Sequence, residues 1–130
     1  MREVLTINVE ITATQSVKGK TGVANMILFG GTCDCELFKG TILPGGVDTQ
    51  TGWANEPYKL SARYILTGKD YIGKDCSIFI ENNGVASEQD MVTTPRILTD
   101  SEALCFLETA SLQGTISPTQ KGVMIHIHEL

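Results

Sequence analysis

Residues 37–84 read LFKGTILPGGVDTQTGWANEPYKLSARYILTGKDYIGKDCSIFIENNG, and two passages within them decide the fold. In SARYILTGKD, Ser61, Arg63 and Ile65 fall on one phase of a two-residue repeat, and Ala62, Tyr64 and Leu66 on the other. In CSIFIENNG, Ile78, Ile80 and Asn82 alternate with Ser77, Phe79 and Glu81. A strand turns successive side chains to opposite faces, so this period describes a sheet with one face on a core. Residues 68–75 join the two strands as a hairpin. Its register decides whether Arg63 and Glu81 share a face, and the loop length leaves that register open.

The same period runs outward to both ends of the chain. Leu5, Ile7, Val9 and Ile11 alternate with Thr6, Asn8, Glu10 and Thr12, while Val123, Ile125 and Ile127 alternate with Met124, His126 and His128. First and last strands of this kind are expected to pair and close the sheet. Between them the punctuation by Gly, Pro, Asn and Asp predicts strands over 22–30, 32–43, 58–67, 76–82, 91–98 and 111–116, eight in all. One short helix is expected over 99–107, where Thr99 and Glu102 have the form of a capping box ahead of Ala103, Leu104, Phe106 and Leu107. The reading is all-β: one closed or nearly closed antiparallel barrel spanning residues 1–130, of a size that holds side chains or one small ligand.

Composition narrows the function classes. With 42% apolar and 19% charged residues, 13 glycines and only 4 prolines, the chain is that of a folded domain with many turns. A net charge of −5 and 10 scattered Lys and Arg argue against nucleic acid as a partner, because phosphate neutralisation needs a clustered basic face. No apolar stretch reaches the roughly 20 residues that span a bilayer, and the start MREVLTINVEITAT lacks the pattern of a signal peptide, so no membrane and a cytoplasmic location are expected. Cys33, Cys35, Cys76 and Cys105 are expected to be reduced, buried thiols. Cys33 and Cys35, two apart in a predicted strand, have poor geometry for bridging each other.

Candidate site residues concentrate in the same block. Residues 44–57 read as a long glycine-containing loop at the barrel mouth, carrying Gly45, Gly46, Asp48, Gln50 and Trp53. Two readings stand for it: a ligand-binding loop, or an Asx-turn at Asp48 with Trp53 as a plug. If Arg63 and Glu81 point inward, they and Asp48 form a fork for a ligand carboxylate or carbonyl; if not, Arg63 makes a surface ion pair. His126 and His128 share a face and are weak metal candidates, without the further ligands a site needs, so neither a metal nor any other cofactor is expected.

LFKGTILPGGVDTQ, SARYILTGKD and CSIFIENNG, followed by TPRILTD, FLETASLQG and GVMIHI, resemble the uncharacterised bacterial DUF3237 family over nearly the whole chain. The resemblance implies a small calycin-like β-barrel and carries over no catalytic residue. The leading expectation for function is a cytoplasmic module that binds one small organic ligand, with Phe38, Trp53 and Tyr64 supplying contact area and Asp48 and Arg63 oriented polar groups. A second is an isomerase, cyclase or hydrolase of a small carbonyl compound, with Asp48 or Glu81 as base and Arg63 stabilising negative charge. A third is a structural homo-oligomer, at its simplest a homodimer, built on an apolar strand face.

Overall fold

The computed structural model describes residues 1–86 and 92–130. Among these residues the chain forms β1 (Arg2–Lys18), β2 (Gly22–Asp34), β3 (Phe38–Ile42), β4 (Gly46–Trp53), β5 (Lys59–Asp70), β6 (Asp75–Val85), β7 (Val92–Thr99), β8 (Leu112–Pro118) and β9 (Gly122–Glu129). All pair antiparallel in one sheet. Closure comes from β1, which pairs with β2 on one side and β9 on the other, so that Ile7 stands opposite both Cys33 and Ile125. The expected pairing of the first and last strands holds, and the sheet is a closed barrel.

The barrel has eight staves although it has nine strands, because β3 and β4 lie end to end between β2 and β5. A step of three residues on β2, Phe29 to Thr32, faces a step of five, Thr41 to Gly46. Two extra residues are therefore looped out around Leu43 to Gly45, where the left-handed φ of +109° at Gly45 suits a residue without Cβ.

Inward side chains divide the barrel into two halves. At one end Leu5, Ile7, Leu66, Ile78, Ile80 and Ile127 are wholly buried, and the segment after β7 covers them by inserting Leu104 and Leu107. Burial of each such side chain contributes about 1.5–3 kcal/mol. Asp70 ties this cover to the barrel. Its carboxylate accepts the Ile72 and Lys74 amides (both 3.0 Å) and the Ser101 hydroxyl (2.8 Å), while Ser101 Oγ accepts the Leu104 amide at 3.2 Å. The Ser101 hydrogen bond is the largest cause holding the Asp70 carboxyl below its ordinary value.

Three expectations about these elements need correction. Residues 46–53 are strand β4, not loop: Val47, Thr49 and Thr51 suit a pleated surface, and of the punctuation that suggested a loop only Pro44 and Gly45 fall in the insertion before it, while Gly46 and Gly52 stay within the strand. The break expected at Gly31 lies later, at Cys35 to Leu37; Gly31 stays inside β2, where a Cβ would fall 2.0 Å from the Asn8 carbonyl oxygen. The helix over 99–107 is reduced to a 3₁₀ turn at Cys105–Glu108. Thr99 ends β7 instead of capping, donating its hydroxyl to the Ser77 carbonyl and its amide to Glu108. The strand expected over 91–98 is found as β7 over Val92–Thr99; Met91, its expected first residue, lies outside the described residues.

Ser101→Ala leaves the buried Leu104 amide without its acceptor and is expected to cost about 1–3 kcal/mol in urea denaturation. A carboxyl lowered in the folded state adds stability that is present above its unfolded value, near 3.8, and lost as pH falls through the folded value. Ser101→Ala should therefore also flatten the fall of stability in acid below pH 3.8.

Candidate polar chamber

Antiparallel register carries one inward phase around the barrel, and above the apolar half that phase turns polar. Asp48 of β4 stands opposite Ile27 and Ala62, and Ala62 stands opposite Asn82 of β6. Thr93 of β7 stands opposite Gly84 and Gly114. Tyr64, one inward position deeper than Ala62, packs edge-on to Phe29 at 5.2 Å between ring centroids. The residues between the polar ones are small. At Gly114 a Cβ would lie 2.3 Å from Thr93 Oγ1 and 3.5 Å from the Asn82 amide, so glycine lets these two groups approach β8.

A directed hydrogen-bond chain leads to Asp48. The exposed Ser16 donates to Asn25 Oδ1 (2.6 Å), Asn25 Nδ2 to Tyr58 Oη (3.1 Å), Tyr58 Oη to Gln50 Oε1 (2.9 Å), and Gln50 Nε2 to Asp48 Oδ2 (2.8 Å). Gly52 makes room for the Tyr58 ring, since a Cβ there would meet it at 3.0 Å. The other oxygen, Asp48 Oδ1, is buried without a protein partner. Desolvation is the larger influence on this carboxyl and raises it above its ordinary value, against the Gln50 hydrogen bond and the Ser61 backbone.

Three more inward atoms share that condition: Tyr64 Oη, Asn82 Oδ1 and Thr93 Oγ1 are buried and unpaired among the described residues. Their side chains are 3%, 1% and 1% exposed, so solvent does not satisfy them. Burial also pushes the Tyr64 phenol well above its ordinary value, which keeps it a hydrogen-bond donor. All ten Lys and Arg residues are exposed, so the barrel interior holds neither lysine nor arginine.

The proposed site residues divide accordingly. Asp48, Gln50 and Tyr64 lie on the inward phase of β4 and β5. Gly46 is buried against Phe29, while Gly45 sits in the looped-out insertion. Phe38 is wholly buried in the apolar half. Trp53 lies on the outward phase at the end of β4 and is 57% exposed, so it is neither plug nor chamber wall.

Arg63 and Glu81 face outward. Register pairs Arg63 with Val47 and Glu81, at 3.3 Å between Nε and Oε2, on the phase opposite to Asp48. The fork of Arg63, Glu81 and Asp48 does not form, and Arg63 is not placed to stabilise charge inside. Glu81 is held below its ordinary value, first by Asn83 and then by Arg63 and Arg96. His126 also faces out, hydrogen-bonded to Glu3 and Ser117, and no cluster of three metal-ligating side chains exists among the described residues. The outer surface does carry an apolar row, Ile65, Phe79 and Leu98, directly paired across three strands.

Asn25, Tyr58, Asn82 and Thr93 were not among the sequence candidates. Asn82 had a signal, a polar side chain on the same phase as Ile78 and Ile80. Tyr58, read as the first residue of the 58–67 strand, lies just before β5 and joins the set through its hydroxyl on Gln50.

Comparison with known proteins agrees with this architecture and leaves chemistry open. A UPF0311 protein of Clostridium acetobutylicum is 33% identical over 103 residues, which cover 77% of this chain and 62% of that protein's length. A solved protein of unknown function from the same species superposes with a TM-score of 0.81 at 23% identity, covering 99% of this chain and 97% of the other. A conserved protein of unknown function from Rhodopseudomonas palustris superposes at 0.80 with 25% identity, covering 98% and 95%. The family model described as "Protein of unknown function (DUF3237)" matches residues 1–130, and the chain belongs to that family.

Proposed function

We propose that the chamber takes up one small, uncharged organic molecule bearing hydroxyl or carbonyl groups. The observation that carries this reading is the set of four unpaired buried atoms, on Asp48, Tyr64, Asn82 and Thr93, contributed by four successive staves. Leaving a buried polar group unpaired costs about 1–3 kcal/mol, so a fold that leaves four facing one interior favours a partner that pairs them. The absence of buried cations disfavours a carboxylate or phosphate ligand. Phe29 and the ring of Tyr64 supply an apolar wall, as expected for a ligand with an aromatic or alicyclic body.

A second reading, an enzyme acting on such a molecule, is favoured by Asp48 alone. Its raised carboxyl has one oxygen bonded to Gln50 and the other free, the disposition of a group that exchanges a proton with a bound substrate. This role does not require Arg63 or Glu81.

Two measurements test the chamber. Thr93→Val removes an unpaired hydroxyl at nearly constant volume, so the ligand-free variant is expected to gain on the order of 1 kcal/mol in urea denaturation. In a thermal-shift screen of neutral polyols, phenols and cyclic ketones, wild type should show a saturable rise in melting temperature that Thr93→Val and Asn82→Leu reduce. A rise that both variants retain, or no rise across the library, overturns the reading.

Asp48→Asn tests the carboxyl. A carboxyl raised in the folded state makes that state bind more protons, so wild-type stability falls as pH climbs from the unfolded value near 3.8 through the folded value. Asp48→Asn lacks this loss. The difference between variant and wild type, followed by urea titration at a series of pH values, should be smallest below pH 3.8 and grow in the variant's favour to a plateau above the folded value.

A further inference from the structure

At the apolar end, outside the chamber, β2 stops at Asp34 and the chain bends through Cys35 to Leu37 before β3. In a continued strand, Cys33 and Cys35 would be held apart by the pleat. The bend instead brings Cys33 Sγ and Cys35 Sγ to 3.6 Å. The two thiols differ in surroundings. Cys33 is 2% exposed within the core cluster, whereas Cys35 is half-buried and lines a surface cleft of about 270 Å³ with Arg2, Val4, Thr6, Glu36 and Leu37.

We propose that Cys33 and Cys35 form a reactive dithiol that a hydroperoxide entering this cleft oxidises to an intramolecular disulfide, with Cys35 as the attacking sulfur and Cys33 as the resolving one. In the first step the Cys35 thiolate attacks a peroxide oxygen. The S–O bond forms, the O–O bond breaks, and the departing oxygen takes a proton to leave as water or an alcohol. In the second step Cys33 gives up its proton and its sulfur attacks Cys35 sulfur. The S–S bond forms, the S–O bond breaks, and hydroxide leaves with that proton as water. Two thiols lose two electrons and the hydroperoxide gains them.

The local chemistry assigns the roles in that order. The hydrogen bond from Cys33 is the first cause lowering the Cys35 thiol, to about 6, with help from the backbone at Phe38, Thr6 and Leu37. Burial opposes this by favouring the thiol. Access points the same way: Cys35 lines the cleft where a peroxide arrives, and Cys33, its thiol raised by that hydrogen bond and by burial, lies behind it in the core. Cys105 is exposed but has no neighbouring thiol among the described residues, and Cys76 is buried, so both serve as internal controls.

The test is peptide mapping of the full chain after a few equivalents of hydrogen peroxide, followed by alkylation of remaining thiols. The tryptic peptide of residues 21–39 contains both cysteines. It is expected to lose two hydrogen masses and both alkylation sites while the Cys105 and Cys76 peptides stay alkylated, and a thiol reductant should reverse the change. Cys33→Ala should instead accumulate a sulfenic acid at Cys35 that dimedone traps, and Cys35→Ser should protect Cys33. The wild-type map requires no variant to fold. If Cys105 is oxidised as readily as the 21–39 peptide, or that peptide keeps two alkylatable thiols, the proposal fails.

Discussion

The pairing of β1 with β9 is the constraint on which the rest depends. An open sheet has two faces and two edges; joining its first and last strands leaves one inside, and every second side chain must be accommodated there. Ile7 shows the consequence within a single residue, since it opposes Cys33 on one neighbour and Ile125 on the other and is wholly buried. Because pairing propagates the phase from stave to stave, the same rule that packs Leu5, Leu66 and Ile78 into a core also turns Asp48, Asn82 and Thr93 inward.

Those two sets of inward residues act against each other energetically. A buried polar atom that neither protein, water nor ligand pairs costs about 1–3 kcal/mol, a sizeable share of the 5–15 kcal/mol by which a whole domain is stable. The apolar half has to offset that cost, and its construction reflects the need. Leu104 and Leu107 seal its end, and Asp70, held in the β5–β6 turn by the Ile72 and Lys74 amides, fastens the seal through the Ser101 hydroxyl.

Much of this was legible in the sequence. Alternation gave the all-β barrel and the outer strands that close it, because each depends only on a period of two within a segment; Asp48 and Gln50 were singled out as loop residues, and their inward phase was not legible. The orientation of Arg63 was not legible, since it depends on a hairpin register that puts Arg63 opposite Glu81 and Val47, both outward. Trp53 was misplaced for a related reason: residues 46–53 read as loop by composition, and without a strand there was no phase to show that it faces away from Asp48. The meeting of Cys33 and Cys35 escaped because a bend of three residues changed their geometry.

The insertion between β3 and β4 shows how closely the site is tied to counting. Two residues are added where the stave passes from Ile42 to Val47, while β5 advances only from Leu66 to Arg63. An even insertion preserves phase, so Phe38 and Ile42 below it and Asp48 and Gln50 above it all face the interior. An insertion of one residue would turn Asp48 and Gln50 to the surface and bring Val47 and Thr49 inside, removing both the carboxyl and the amide that orients it. The loose, glycine-rich stretch that looks like the most permissive part of the chain is therefore held to a parity. The residues at liberty there are the two looped out, not the strand that follows them.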